Sequence, residues 1–185
     1  MVRHFKCQGG ICITASHNPP DYNGYKVYWE TGGQIVPPHD KAIVSRYSEI
    51  SNYEEIKIMS FSKGLEAGLI QEVGRELDDS YFERLATLKM REGGAPIKIV
   101  FTPLHGTGTF PVEKGLSIFG FNDVTSVPEQ KDPNGDFPTV KFPNPEDPEA
   151  LKMAIDLGRS QGADLVMATD PDTDRIGIVV KEGED

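Results

Sequence analysis

Three aspartates, Asp170, Asp172 and Asp174, alternate along the short stretch DPDTDR near the end of the chain. Unpaired carboxylates this close repel one another, and oxygen ligands of this kind converge readily on a hard divalent cation such as Mg²⁺. The stretch lies between two apolar segments, which places it at the edge of a predicted sheet. The pattern therefore indicates a metal loop, with a solvated acidic turn as the common alternative.

Two known aspartate motifs fit this loop less well. An EF-hand loop starting at Asp170 requires glycine at its sixth position and glutamate at its twelfth. Those positions hold Arg175 and Lys181, and the flanking segments are predicted strands rather than helices. A phosphatase of the haloacid dehalogenase type requires threonine or valine where this chain has Asp174. That departure leaves the phosphatase as a weaker alternative.

Ser16 is the second candidate, and it lies in ICITASHNPP, where a predicted strand ends in small, polar and proline residues. A serine hydroxyl is a weak nucleophile that needs an activating neighbour. His17 is adjacent, but adjacent residues rarely reach the geometry of a serine–histidine pair, and the segment is not a G-x-S-x-G elbow. A turn former is the simple interpretation. The chemical alternative is a phosphoserine, whose charge of about −2 a cation on the aspartates would neutralise.

Other candidates are less specific. Lys26, at the start of the next predicted strand, could face the same cleft, although a lone strand lysine is more often exposed. Arg175 would clamp a phosphate or offset the aspartates. In PLHGTG (103–108), His105 could bind a ligand and Gly106 permits close backbone approach. Two glycines are weak evidence on their own, and a tight strand-to-helix turn explains them at least as well.

The second half of the chain alternates strands and helices. Predicted strands cover 97–103, 122–127, 163–169 and 176–180, and predicted helices cover 110–119 and 148–160. The second of these helices begins at the N-cap signal Asp147–Pro148. This alternation implies right-handed crossovers and a parallel core. Ligands bind beyond the carboxyl ends of such strands, which is where the loops at 103–108 and 169–175 lie.

The first half is less regular. Its predicted elements are a strand at 9–14, a loop at 15–24, a hairpin of 25–29 with 34–36, and a helix from Asp40. An ambiguous polar stretch from 51 to about 75 precedes a helix marked by Leu77, Tyr81, Leu85 and Leu88. The fold class expected is α/β, with mixed, largely parallel sheets flanked by helices. The expected division is a partial first domain at 1–65 and a βαβαβ second domain at 75–185.

Composition limits the choice of partners. The chain has 185 residues, of which 37% are hydrophobic and 26% charged, with a formal net charge of −10. This acidity disfavours nucleic acid binding by general charge attraction. No stretch approaches the roughly 20 apolar residues of a membrane helix, and the N-terminus lacks the apolar run of a signal peptide. Cys7 and Cys12 are expected on opposite faces of a strand, unbridged, which fits a reducing cytoplasm.

Together these segments resemble one enzyme family. TASHNPPDYNGYKVY, PLHGTG and DPDTDR resemble, in order and separation, the active-serine loop, an intervening loop and the metal loop of the α-D-phosphohexomutases, the family of phosphoglucomutase and phosphomannomutase. The longer NGYKVYWETGGQIVPPHD is most similar to bacterial phosphoglucomutases and phosphopentomutase-like enzymes. Family members have four domains. The resemblance therefore implies a fragment that holds the end of the first domain and most of the second.

The resemblance also implies roles for particular residues. Ser16 would be a phosphoserine that converts a sugar 1-phosphate into a bisphosphate and takes back the other phosphoryl group, leaving a sugar 6-phosphate. Catalytic candidates are Ser16, His17 and Lys26; phosphate-binding candidates are Asn18, His105, Gly106 and Arg175; metal ligands are Asp170, Asp172, Asp174 and a Ser16 phosphate oxygen. Mg²⁺ is the expected cofactor, and glucose 1,6-bisphosphate the expected activator and intermediate.

Several outcomes stay open at this point. The sugar could be glucose, mannose or a pentose, because the family's specificity loop would lie in a missing domain. The chain alone is expected to be inactive, and a non-catalytic module that binds Mg²⁺ or a phosphosugar is the alternative of a different class. A truncated first domain exposes strand edges, which predicts a rearranged, disordered or non-natively paired first part.

Overall fold

The chain forms two structural units. In the computed structural model, which describes residues 1–183, the first unit comprises Met1–Cys12 and Lys26–Tyr81. The second unit comprises Ile13–Tyr25 and the residues from Phe82 onward. The serine segment is thus grouped with the second unit, although the residues on either side of it belong to the first. The domain division expected at 1–65 and 75–185 stays a prediction.

The first unit contains short elements. They are β1 (Gly9–Ile13), β2 (Tyr25–Trp29), α1 (His39–Ser48), a 3₁₀ turn (Tyr53–Glu55), α2 (Phe61–Glu66) and α3 (Glu76–Ala86), within which the division between units falls. β1 and β2 form a two-stranded sheet. The predicted pairing of 34–36 with β2 is reduced to one bridge, between Tyr28 and Gln34. Pro37 and Pro38 follow directly, and proline cannot donate to a strand ladder.

One prediction about this unit needs correction. Cys7 precedes β1 and does not lie on a strand, although both cysteines are free thiols, as predicted. Ile43 and Tyr47, which recur at helical spacing on α1, are exposed, at 41% and 75%. The helical periodicity is therefore real, but it does not mark a face that is buried in this structure.

The second unit is built on a four-stranded sheet. Its remaining elements are β3 (Ile99–Thr102), α4 (Thr109–Phe119), β4 (Val124–Ser126), α5 (Pro148–Gln161), β5 (Leu165–Thr169) and β6 (Ile176–Val180). The strand order is β4-β3-β5-β6. β3 pairs in parallel with β4 and β5, whereas β6 runs antiparallel to β5. The expected fold class, a mixed and largely parallel sheet flanked by helices, is confirmed.

α5 covers the centre of this sheet. Buried Val100, Val127, Ala154 and Val166 form a core cluster, against which Met153, Leu157, Ala163 and Val179 pack. A Cβ on Gly158 would lie 2.8 Å from Val166 Cγ2, so the glycine allows α5 to approach β5 closely. Asp147 caps the helix by accepting a hydrogen bond from the Glu149 N–H at 3.0 Å, as its position before Pro148 predicts. This packing fixes the carboxyl ends of β3 and β5 side by side.

Among residues 1–183, no helix has both the length and the apolar character needed to cross a membrane.

Candidate functional site

The serine loop and the aspartate loop meet within the second unit. Ser16 Oγ donates a hydrogen bond to Asp170 Oδ2 at 2.7 Å. Thr14 Oγ1 donates another to Asp172 Oδ2 at 2.9 Å. Both contacts join residues more than 150 positions apart in sequence. The sequence suggested only that a cation on the aspartates would neutralise a phosphate on Ser16; the structure shows the two loops in direct contact.

Ser16 has an unusual backbone conformation. Its φ of 54° lies in the left-handed region, which is costly for a residue with a Cβ. The Ser16 N–H donates to Thr14 Oγ1 at 3.0 Å and the Asn18 N–H donates to the Ala15 carbonyl at 3.1 Å, which close a tight turn around the serine. The turn keeps Ser16 half-buried and directs its hydroxyl at Asp170.

The same turn brings His17 into contact with the serine. Ser16 Oγ and His17 Nδ1 lie 3.2 Å apart, so the expectation that adjacent residues would not reach each other is wrong. A hydroxyl has one proton. With that proton donated to Asp170, the bond to His17 requires Nδ1 to carry a hydrogen and donate it to Ser16 Oγ. His17 therefore supplies a donor to the serine oxygen rather than the base of a serine–histidine pair.

The three aspartates form a compact acidic group. One carboxylate oxygen from each of Asp170, Asp172 and Asp174 can be chosen so that all lie within 4.8 Å of one another. Asp170 is fully buried, Asp172 is half-buried and Asp174 is exposed. Burial thus decreases from Asp170 to Asp174, and every ligand atom that the group offers is a hard carboxylate oxygen. Such a donor set fits a small divalent cation that retains water or a phosphate oxygen in its shell.

The burial of Asp170 has an electrostatic consequence. Burial raises the pKa of its carboxyl, and the neighbouring Asp172 raises it further. Hydrogen bonds from Ser16 Oγ and from the Arg175 N–H, which donates to Asp170 Oδ1 at 3.0 Å, act in the opposite direction. Because burial and the neighbouring Asp172 destabilise the ionised form of Asp170, a bound cation would stabilise that form strongly.

The loop at 103–108 supports the aspartate loop from one side. The Thr107 N–H and the Thr107 hydroxyl both donate to the Pro171 carbonyl, at 2.9 and 3.1 Å. A Cβ on Gly106 would lie 2.3 Å from Pro171 Cα, so only glycine allows the two backbones to approach this closely. In this structure Gly106 packs against the backbone of the aspartate loop. Its predicted binding of phosphate stays a prediction.

His105 is turned towards a different segment. Its side chain is 4% exposed, and Nε2 lies 2.8 Å from Thr139 Oγ1. Gln130 also joins this network, because its Oε1 accepts from Thr102 Oγ1 and its Nε2 donates to Thr139 Oγ1. Burial lowers the pKa of His105, partly opposed by a hydrogen bond to the Asp132 backbone. In this structure the ring anchors the proline-rich segment after β4, and its predicted contact with phosphate stays a prediction.

The remaining predicted residues are placed less directly. The Arg175 guanidinium pairs with Glu146 Oε1 at 3.3 Å, and the Arg175 N–H donates to Asp170 Oδ1. Asn18 is exposed beside the serine. Lys26 lies half-buried on β2 in the first unit. The parts expected of Asn18, Lys26 and Arg175 stay predictions.

Sequence reasoning missed Thr14. It lies two residues before Ser16 and contacts both the serine backbone and Asp172. A signal was available, because a threonine hydroxyl commonly accepts a hydrogen bond from the backbone N–H two residues further on. The long-range contact with Asp172 could not be read from local sequence.

Comparison with known proteins agrees with this geometry. Residues 79–183 match the family model described as phosphoglucomutase/phosphomannomutase, alpha/beta/alpha domain II, and residues 1–54 match its domain I. The chain belongs to the phosphoglucomutase/phosphomannomutase family, and the resemblance drawn from its three motifs is confirmed.

Individual relatives are similar along nearly the whole chain. A probable phosphoribomutase of Schizosaccharomyces pombe is 40% identical over 97% of the chain and 31% of the relative. A phosphoglucomutase of Staphylococcus saprophyticus is 36% identical over 99% of the chain and 33% of the relative. A phosphoglucomutase/phosphomannomutase family protein from Burkholderia thailandensis, whose crystal structure is solved, superposes with a TM-score of 0.71 at 26% identity, over 96% of this chain and 34% of that one. The chain thus spans about a third of the length of these relatives.

Proposed function

We propose that this chain carries the phosphoryl-accepting serine and the metal loop of a phosphosugar mutase of the phosphoglucomutase type. The observation that carries the proposal is the 2.7 Å hydrogen bond from Ser16 Oγ to Asp170 Oδ2. It puts a nucleophilic oxygen against an acidic group suited to a divalent cation.

The serine's neighbours suit phosphoryl transfer. Ser16 Oγ attacks the phosphorus at the 1-position of a sugar 1,6-bisphosphate, the bond from phosphorus to the sugar oxygen breaks, and the serine proton passes to that oxygen. This step leaves phosphoserine and a sugar 6-phosphate. The phosphoserine then transfers its phosphoryl group to the 6-hydroxyl of a sugar 1-phosphate, whose proton returns to Ser16 Oγ, and the bisphosphate forms again. His17 Nδ1 lies within hydrogen-bond distance of the serine oxygen, and the turn at residues 14–18 orients the Ser16 hydroxyl towards the aspartate loop. Positioning and charge stabilisation are the main sources of catalysis in such transfers.

Mg²⁺ is the proposed cofactor. Asp170, Asp172 and Asp174 would hold it together with an oxygen of the phosphorylated Ser16. Bound there, the ion neutralises charge on the phosphoryl oxygens. The burial of Asp170 shields one side of this charge from water, and the exposed Asp174 leaves the other side open to solvent. Asn18 and Arg175 are proposed to bind the sugar phosphate, and Lys26 is proposed to assist the transfer by proton transfer or charge stabilisation.

The sugar is proposed to be glucose, with glucose 1,6-bisphosphate as intermediate. A pentose is the second candidate because the S. pombe relative is named a probable phosphoribomutase; a mannose phosphate is the third. Transfer from glucose 1,6-bisphosphate, measured against transfer from ribose 1,5-bisphosphate, ranks these candidates. We further propose that the chain works in the cytoplasm, together with the remaining domains found in its longer relatives. Alone, it accepts a phosphoryl group on Ser16 but does not convert a sugar 1-phosphate into a 6-phosphate.

The test is intact-mass and phosphopeptide analysis of the chain, before and after incubation with glucose 1,6-bisphosphate and Mg²⁺. We expect one added phosphate on Ser16, and none in Ser16→Ala. Ser126→Ala is a matched control, because Ser126 Oγ also donates to a carboxylate, Glu113 Oε1 at 2.6 Å, away from the aspartate loop. That variant should be phosphorylated like the unmodified chain.

Phosphate on another residue, or none on Ser16, would contradict the proposed transfer. If such a chain still bound Mg²⁺ or a phosphosugar, it would be a binding module rather than an enzyme. Steady-state conversion of a sugar 1-phosphate by the chain alone would contradict its proposed dependence on other domains.

A further inference from the structure

Thr14 connects the two halves of the site through one hydroxyl group. Its Oγ1 accepts a hydrogen bond from the Ser16 N–H at 3.0 Å and donates one to Asp172 Oδ2 at 2.9 Å. The side chain is half-buried, and all three residues belong to the second unit. A single group therefore contacts both the backbone of the serine and a side chain of the acidic group.

We propose that Thr14 is a positioning residue that fixes Ser16 and Asp172 relative to each other. This inference rests on the function proposed above, in which Ser16 accepts phosphate and Asp172 holds the metal. Thr14 itself would touch neither the sugar nor the transferred group. It acts by holding the residues that do.

The first part of its action is on the serine backbone. Ser16 sits at a φ of 54°, a conformation that a non-glycine residue keeps only when its surroundings hold it there. The bond from the Ser16 N–H to Thr14 Oγ1 is a local interaction of this kind. Without it the turn would relax towards ordinary backbone angles and turn the Ser16 hydroxyl away from Asp170.

The second part is on the carboxylate. Asp172 lies beside Asp170, and like charges at this range push each other apart. A hydrogen bond donated by Thr14 holds Asp172 in the acidic group despite that repulsion. Hydrogen bonds to groups that ligate metals orient the ligands, and their loss typically weakens metal binding by about 10- to 100-fold.

Two substitutions separate the hydroxyl from the shape of the side chain. Thr14→Val keeps the branched shape and removes both hydrogen bonds, whereas Thr14→Ser keeps the hydroxyl. Thr87→Val is the control for loss of a threonine hydroxyl elsewhere in the second unit, because Thr87 Oγ1 donates to the Arg84 carbonyl at 2.7 Å. Circular dichroism of each variant establishes that it is folded.

The first readout needs no ligand and is the hydrogen exchange rate of the Ser16 amide, measured by NMR. We expect exchange at least about tenfold faster in Thr14→Val, with near-normal protection in Thr14→Ser and Thr87→Val. Unchanged protection of Ser16 in a folded Thr14→Val variant overturns the proposal.

The second readout is the dissociation constant for Mn²⁺, a paramagnetic substitute for Mg²⁺, from electron paramagnetic resonance titration. We expect about 10- to 100-fold weaker binding in Thr14→Val, and recovery to within about threefold in Thr14→Ser. Equal affinity of Thr14→Val and the unmodified chain overturns the role of Thr14 and leaves the proposed function standing. If the unmodified chain binds no Mn²⁺, the proposed metal site fails instead, and amide exchange alone decides whether Thr14 holds Ser16.

Discussion

Of the six non-glycine residues with positive φ in the described part of the chain, four lie in the three loops of the site, and Lys6 and Phe137 lie elsewhere. Ser16, Leu104, His105 and Thr173 all adopt left-handed backbone conformations, and they lie in the serine loop, the loop after β3 and the aspartate loop. Each such residue stores strain of about 1–2 kcal/mol. Strain concentrated where the chemistry is proposed indicates that position matters more here than stability.

Gly106 is the residue whose replacement tests the contact between two of these loops. A methyl group there would meet the Pro171 backbone at 2.3 Å, and backbone cannot move aside as a flexible side chain can. Gly106→Ala should lower the free energy of unfolding by about 1–3 kcal/mol, measured by urea denaturation. Gly135→Ala is the matched control, because a Cβ there meets nothing within 4 Å. Similar unfolding curves for the two variants would show that the loops do not touch as described.

His105 gives the second unit a dependence on pH. Because its folded pKa lies below the ordinary value of 6.5, the unfolded chain takes up a proton more readily than the folded one. Stability is therefore complete above pH 6.5 and declines as pH falls through 6.5 towards the folded pKa. Denaturation between pH 8 and 5 should show a steeper loss in the unmodified chain than in His105→Gln, with His4→Gln as control. Parallel pH profiles for the chain and His105→Gln would refute this.

At the scale of elements, sequence reasoning succeeded where local signals and burial agree. β3 is an apolar run that is buried throughout, and α5 begins at its Asp147 cap and ends at Gly162, whose φ is 65°. These elements need little from the rest of the chain to be recognised. The parallel order of β3 and β5 follows from the helices between them, and it places the two loops together.

Prediction from sequence failed where local signals are weak, or where an unusual backbone conformation or a distant contact decides. Helix α2 lies inside a stretch that is too polar and too short to show a clear period. The contact of Ser16 with His17 depends on a positive φ at a serine, which no composition rule predicts. Thr14 was missed because its importance comes from Asp172, 158 positions away.

The N-cap of α5 can be tested by itself. Asp147 accepts from the Glu149 N–H, which would otherwise lack an intrahelical partner. Asp147→Ala should cost about 1 kcal/mol of unfolding free energy, measured by thermal or urea denaturation. Asp136→Ala, in an exposed part of the loop after β4, should change it by less than about 0.5 kcal/mol. An equal effect of both substitutions would mean that general charge, not capping, is responsible.

At the scale of the whole molecule, apolar residues on strands are exposed. On β6, Ile176, Ile178 and Val180 are each more than 60% exposed, and on β1 Ile11 is 59% exposed. Rows of apolar side chains on exposed strands favour association with other chains. The expected pairing of isolated chains thus has a candidate surface on β6 as well as on the first unit.

Light scattering with size-exclusion chromatography measures this association. We expect the chain to self-associate at micromolar concentration, and Ile178→Lys to shift it towards monomer, because a charge at the centre of the β6 row opposes burial. Met90→Lys replaces a residue that is 96% exposed and lies outside the strands, so it should leave association unchanged. A monodisperse monomer before any substitution would rule out pairing through β6.

The aspartate loop has one more property, which follows from the antiparallel course of β6. Thr169 pairs with Ile176 across the sheet, so residues 170–175 form a closed loop whose ends are tied by the β5–β6 ladder. The entropy of closing that loop is lost when the sheet folds, so ligand binding does not have to supply it. We therefore expect a chelator to leave the amide protection of Thr169 and Ile176 unchanged, as NMR hydrogen exchange can measure. An ion would then enter a loop that is already shaped, and its exchange with solvent would proceed without melting the sheet that holds it.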